Sequence, residues 1–224
     1  MDDLFDEVMK MGQMATLTVS EARRCFIERD KESAQVIMEG DHVFDGLRDM
    51  VEEAGLELLA TQAPVAVDLR LVVALMRVAQ HLERIADLCV DIAKATVNLP
   101  AGELPGWMKE AIDEMGRKAA DMLRRSLSAF RRRDLEEAKV LDVLDDAVDV
   151  LNRGFFKEFD RGREEDLDVA VRVIMVARFF ERIADHAVGI GEETAFLWRG
   201  RRSLSENGDE NYRARDKGLP RNFR

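Results

Sequence analysis

Apolar residues recur along the chain at steps of three and four. Leu4, Val8, Met11, Ala15, Val19, Ala22 and Phe26 form one such series, and Met108, Ile112, Met115, Ala119, Leu123 and Phe130 form a second. This spacing gathers apolar side chains on one stripe of a helix. Similar periodicity predicts helices over about Asp30–Ala60 and Val65–Val97, and again over about Asp134–Asp160 and Glu164–Trp198. Pro64, Pro100, Pro105 and Pro220 all fall between or beyond these stretches. That is where proline belongs, because it has no N–H to donate and its ring clashes with the preceding turn. From Arg201 onward Ser, Asn, Gly and mixed charge follow one another without periodicity, so 201–224 reads as a disordered basic tail.

The pattern occurs twice. A shift of 104 residues lays Met11-Gly12 on Met115-Gly116, Phe26 on Phe130, Asp30 on Asp134, Asp41 on Asp145, Asp45 on Asp149 and Leu47 on Leu151. At a shift of 98, Glu83-Arg84-Ile85-Ala86-Asp87 repeats letter for letter as Glu181-Arg182-Ile183-Ala184-Asp185. Self-similarity at a fixed spacing marks a duplicated structural unit. The fold class is therefore all-α, two tandem antiparallel three-helix bundles, the first over 1–99 and the second over 105–200.

Composition agrees with this and removes other classes. The 224 residues include 34 Lys+Arg and 45 Asp+Glu, a net charge of −11, with only 4 Pro and 2 Cys. The tail from Arg199 carries eight basic and four acidic residues, so the body holds −15. Such a body argues against a general nucleic-acid binder, which needs a basic surface to displace counterions. Two cysteines exclude a disulfide scaffold, and Cys25 and Cys89 lie on or near apolar stripes as core residues. The 11 Met read as core filling. No apolar run nears the ~18 residues that cross a bilayer, and the acidic start lacks the pattern of a signal peptide. A soluble cytoplasmic protein with reduced thiols is expected. No Gly-rich phosphate loop, G-x-S-x-G, C-x-x-C or H-E-x-x-H occurs, so no enzyme is expected.

The candidate chemistry lies in acids placed four apart: Asp41/Asp45 and Glu83/Asp87, then Asp145/Asp149 and Glu181/Asp185. Side chains at i and i+4 share a helix face, and two carboxylates there repel by ~0.2–0.5 kcal/mol unless a cation intervenes. Four carboxylates supply the oxygen set suited to Mg, Ca, Mn or ferric ions. With about 100° per residue, Leu82, Ile85, Cys89 and Ile92 define the core stripe of the third helix, and Glu83 and Asp87 lie on its opposite side. On the second helix Val36, Val43, Leu47 and Met50 cluster as the expected core, away from Asp41 and Asp45. The acids are thus expected on outer faces, as an open surface cluster. Buried di-iron bundles use Glu-x-x-His, a pairing that His42, His81 and His186 are not expected to supply. Three accounts stand together: a metal-binding regulator, a carboxylate-bridged metal oxidase or metal store, and a scaffolding bundle whose acids are merely solvated. His186 reads as a surface histidine or a group near a metal, and Arg84 and Arg182 as local ion pairs or partner contacts.

The doubled Glu-Arg-Ile-Ala-Asp, expected near the start of each last helix, with Asp-x-x-x-Asp on the helix before, resembles the PhoU family over roughly residues 4–200. Leu82-Glu83-Arg84-Ile85-Ala86-Asp87 and Phe180-Glu181-Arg182-Ile183-Ala184-Asp185 are similar to that family's hallmark. The resemblance implies a cytoplasmic negative regulator of phosphate uptake and phosphate-starvation signalling. It would act as an adaptor between the phosphate ABC transporter ATPase and a phosphate-sensor histidine kinase, and form a homodimer. Its membrane association would be peripheral, through those partners alone. It also implies multinuclear metal sites, with iron, zinc, Mg, Mn or Ca as candidates. Their ligands would be Asp41, Asp45, Glu83 and Asp87 in one repeat, and Asp145, Asp149, Glu181 and Asp185 in the other. Asp91 of repeat one becomes Gly189 in repeat two.

Overall fold

The computed structural model describes residues 1–160 and 167–204. Its elements are α1 (Asp2–Glu28), α2 (Lys31–Glu39), α3 (Asp41–Gln62), α4 (Ala66–Val97), α5 (Gly106–Arg132), α6 (Leu135–Asp160) and α7 (Leu167–Arg199). The apolar series on α1 and α5 are buried as their spacing demands, from Leu4 to Phe26 and from Met108 to Phe130. Cys25 and Cys89 are buried and free.

The second helix of repeat one is broken where the periodicity suggested one continuous rod. Gly40 ends α2 and starts α3, with its amide still donating to the Val36 carbonyl and its own carbonyl accepting from Val43. The duplicated position in repeat two is Leu144, and α6 runs unbroken. Glycine has a low helix propensity because its backbone is free in the unfolded chain, so the break follows the residue that differs.

The turn before each second helix is also duplicated. Arg29 and Arg133 end α1 and α5 in the left-handed region, at φ 59° and 55°. The next residue caps the following helix: Ser33 N–H donates to Asp30 Oδ1 (3.0 Å) and Glu137 N–H to Asp134 Oδ1 (3.1 Å). The Arg29 guanidinium also donates to the carbonyls of Pro100 and Gly102, tying the inter-repeat linker to the first unit.

The two units pack together through α1 against α5 and α4 against α7, while α2–α3 and α6 lie outermost, each on the last helix of its own repeat. A pseudo-twofold relation is visible in side chains. A Cβ on Gly12 would lie 2.6 Å from Leu127, and one on Gly116 would lie 2.7 Å from Arg23. Arg23 and Leu127 are themselves duplicated positions, so each glycine receives the same partner position from the other repeat. Arg23 completes its contact by pairing with Asp113.

The start of the expected tail is docked rather than loose. Arg202 Nε lies 2.7 Å from Oε1 of Glu193, which is buried in α7 and also faces Arg77. Leu204 is buried beside Gly191. A buried carboxylate is costly without a positive partner, and the first residues after α7 supply one. The remainder of the proposed tail, 205–224, lies outside the described residues.

Candidate metal centre

Within each repeat the last two helices form an antiparallel hairpin, so the start of the outer helix meets the middle and later turns of the last one. In repeat one this brings Asp41 and Asp45 of α3 against Glu83, Asp87 and Asp91 of α4. Burial raises the Asp41 carboxyl above its ordinary range, and the charges of Asp87, Asp45 and Asp91 push it the same way. Glu83 is raised by burial and then by Asp87, against the opposing guanidiniums of Arg84 and Arg48. In repeat two Glu181 is pushed up to about 7 by burial, with Asp185, Asp149 and Asp145 adding to it and Arg178 opposing. Both sets of four acids named from the sequence are therefore electrostatically joined across a helix–helix seam.

Three of the eight are not on an outer face. Glu83, Asp145 and Glu181 are buried, at 7%, 3% and 7% exposure, while Asp45 and Asp185 are exposed and Asp41, Asp87 and Asp149 are half-buried. The expectation of an open surface cluster fails for two physical reasons. First, α4 and α7 are enclosed by neighbours on several sides, so a side chain pointing away from the main core still meets α3 or α6. Second, the core face of the outer helix in repeat one is Ile37, Phe44 and Val51, whereas Val36, Val43 and Met50 are exposed at 64%, 40% and 56%. Of the expected core cluster only Leu47 packs, half-buried, against the core; Val36, Val43 and Met50 are the solvent face, and Asp41 lies nearer the buried one.

The donor set fits a hard cation. Oε2 of Glu83 and Oε2 of Glu181 are buried and accept no hydrogen bond. A carboxylate oxygen removed from water without a hydrogen bond is unfavourable, even where, as at Glu83 Oε2, a guanidinium lies 3.4 Å away, and oxygen-rich carboxylate sites are where Mg, Ca and Mn bind. The acids are spread along the two seams; among the described residues no group of three or more His, Cys, Asp or Glu is drawn to a single point. Local guanidiniums partly stand in. Arg84 pairs with Asp87 (3.0 Å) and Glu83 (3.4 Å), and Arg178 pairs with Glu181 Oε1. Arg84 is thus a local ion-pair residue.

One Glu-x-x-His spacing does occur, at Glu39 and His42, but Gly40 breaks the helix between them. His42 is exposed and its ring contacts the Glu39 backbone carbonyl at 2.9 Å. His186 is half-buried and meets His81 of α4, so it is not a plain surface histidine. Sequence reasoning passed over Arg48 and Asn152, which occupy duplicated positions on the seams; Arg48 lies 2.8 Å from Asp49, and Asn152 is buried. The shift of 104 residues already paired them.

Among the described residues no helix is long and apolar enough to cross a membrane. The family model for the PhoU domain matches residues 8–96 and 112–194, one match per repeat. The chain is 31% identical over 205 residues to a phosphate-specific transport system accessory protein PhoU homolog of Clostridium acetobutylicum, covering 90% of this chain and 93% of that one. It is 30% identical over 203 residues to the homolog of Caulobacter vibrioides, covering 89% and 88%. Among solved structures, PhoU from Pseudomonas aeruginosa superposes with a TM-score of 0.81 at 27% identity, over 89% of this chain and 97% of that one. The phosphate transport system regulatory protein PhoU from Streptococcus pneumoniae gives 0.81 at 26% identity, over 90% and 96%. With two domain matches, relatives aligned across nearly their whole length, and the same helical architecture, the chain belongs to the PhoU family.

Proposed function

We propose that this protein is a cytoplasmic, non-catalytic regulator of phosphate transport and phosphate-starvation signalling that works through metal ions held at its two acidic seams. The single observation that carries the reading is the duplicated carboxylate quartet, with Oε2 of Glu83 and of Glu181 buried and without a hydrogen bond, in a chain of this family. Relatives named as accessory proteins of the phosphate-specific transport system support the regulatory role. Asp41, Asp45, Glu83 and Asp87 would hold ions in the first repeat, and Asp145, Asp149, Glu181 and Asp185 in the second. The ions would supply positive charge that cancels carboxylate repulsion across α3–α4 and α6–α7. The seams withdraw Glu83, Asp145 and Glu181 from water while Asp45 and Asp185 stay open to it.

Beside these seams the outer helices expose apolar side chains: Val36, Val43 and Met50 on α2–α3, and Val140, Val143 and Val150 on α6. Apolar groups of this size on an outer helix face suit a protein partner, and the transporter ATPase and a sensor kinase are the partners we assign. The test is phosphatase induction in phosphate-rich medium in the source organism deleted for this gene. Constitutive induction, cured by the wild type but not by a chain carrying Ala at Glu83, Asp87, Glu181 and Asp185, supports the reading. Repression that persists in the deletion strain removes the regulatory role, and full rescue by the quadruple variant removes the role of the acids.

A further inference from the structure

The two acidic seams are built on the same plan but differ at several duplicated positions: Asp91 of repeat one is Gly189 in repeat two, and the outer helices differ as well. One position on the outer helix is Arg48 in repeat one and Asn152 in repeat two. Asn152 follows Asp145 and Asp149 by steps of seven and three, so the three share one face of α6. Asp145 and Asn152 are both buried, at 3% and 7% exposure, and Asp145 acts on Glu181 of α7. Oδ1 of Asn152 accepts no hydrogen bond, and neither does Oε2 of Glu181 on the facing helix. The duplicated position in repeat one shows where this one points: the Arg48 guanidinium acts on Glu83, the counterpart of Glu181. It also lies 4.0 Å from Asp45 and 2.8 Å from Asp49.

We propose that Asn152 is a neutral oxygen ligand that completes the cation site of repeat two, whereas Arg48 serves as a fixed internal counter-ion in repeat one, so that the second site is the tighter for a hard divalent ion. The proposal rests on the metal-binding reading above. A buried carboxamide oxygen without a donor is unfavourable by ~1–3 kcal/mol, and carbonyl oxygens of Asn are ordinary ligands of hard cations. A guanidinium cannot lose its proton near neutrality and has no lone pair to offer. At Arg48 it therefore occupies the seam with positive charge, against which an incoming cation must compete. Repeat two has guanidiniums of its own, Arg178 on Glu181 Oε1 and Arg153 3.6 Å from Asp149, but these side chains are 53% and 64% exposed, against 34% for Arg48. Arg178 and Arg153 reach more of the solvent, whereas the Nε of Arg48 is buried.

The test titrates the full chain with Mn²⁺ alone by calorimetry, with helical content checked by circular dichroism. The double variant E83Q/D87N leaves the repeat-two site, and E181Q/D185N leaves the repeat-one site. The former is expected to bind Mn²⁺ more tightly than the latter. Added to E83Q/D87N, Asn152→Leu weakens binding by roughly 10- to 100-fold, the range for groups that support a metal site, and Asn152→Asp keeps it. Added to E181Q/D185N, Arg48→Asn tightens binding. Equal affinities in the two half-site variants, or Arg48→Asn without effect, overturn the proposal while leaving metal binding standing. Wild type that takes up no Mn²⁺ overturns both. If Asn152→Leu fails to fold, the Arg48→Asn arm, at a half-exposed position, decides.

Discussion

His81 and His186 meet Nδ1 to Nδ1 at 3.1 Å across the seam between α4 and α7, with their rings edge to face. One nitrogen must donate and the other accept, so at least one ring is neutral. Burial lowers the His81 imidazole to about 4, with His186 and Arg202 adding to the shift. Burial also lowers His186, helped by Arg182 and Arg84. A depressed base binds its proton later in the folded chain than in the unfolded one. Stability from this pair is thus whole above the ordinary histidine range, near pH 6.5, and is lost as pH falls from there towards 4. The wild type is expected to lose about 1–3 kcal/mol more than His81→Gln between pH 7 and 4.5. Urea unfolding at the two pH values measures this, and parallel losses would remove the pair as the cause.

Gly189 is what leaves room for that pair. A Cβ there would run into His81 Cε1 and lie 2.8 Å from its Nε2. A rigid ring wedged between two helices cannot yield as a flexible chain end can. Gly189→Ala is expected to destabilise by about 1–3 kcal/mol through overpacking and to shift the His81 ring resonances. Gly46, in α3 with open space where its Cβ would lie, is the contrast. Gly46→Ala should stabilise by about 0.4–1 kcal/mol, because it restricts the unfolded chain and favours helix. Thermal unfolding of the two variants checks both signs.

Glu181 titrates in the opposite sense to the histidines. Its folded value is pushed up to about 7, chiefly by burial, against an ordinary glutamate near 4.5. The folded chain then holds a proton that the unfolded chain has released, so stability falls as pH rises through this window. In chelator, Glu181→Gln is expected to be more stable than wild type by about 1–3 kcal/mol at pH 8, with the difference gone by pH 4. Added divalent cation should narrow the gap at pH 8 by stabilising the wild type alone. A gap unaffected by pH would mean that charge burial at Glu181 is not its origin.

The duplicated caps should not be equal. Asp134 accepts the Glu137 amide (3.1 Å), and its loss in Asp134→Ala is expected to cost about 1 kcal/mol. Asp30 accepts both the amide and the hydroxyl of Ser33 and also meets Arg24 at 3.0 Å. These partners hold its carboxyl down at about 2. Asp30→Ala is therefore expected to cost more than Asp134→Ala at pH 7, and the excess should shrink below pH 4 as carboxylates take up protons. Chemical denaturation at pH 7 and pH 3 compares them.

Much of this could be read from one dimension. The apolar series on α1 and α5, the proline-marked turns, the duplication and the eight acids depend on spacing and local chemistry, which a string of residues carries in full. The break in the second helix of repeat one is legible too, in Gly40 where the duplicated position carries Leu144. The face of that helix was not readable. Val36, Val43 and Met50 form as good an apolar stripe as Ile37, Phe44 and Val51, and only the packing of α2–α3 on α1 and α4 chooses between them.

The same division holds for the site. Sequence alone determined that two carboxylate pairs stand one turn apart on neighbouring helices in each repeat, because helical periodicity is a local property of the backbone. Tertiary structure decided that Glu83, Asp145, Asn152 and Glu181 leave water, that Arg48 acts on Glu83, and that His81 finds His186 from the other repeat. Burial and charge coupling act between residues far apart in the chain, and their size depends on which helices enclose a side chain and how much water remains.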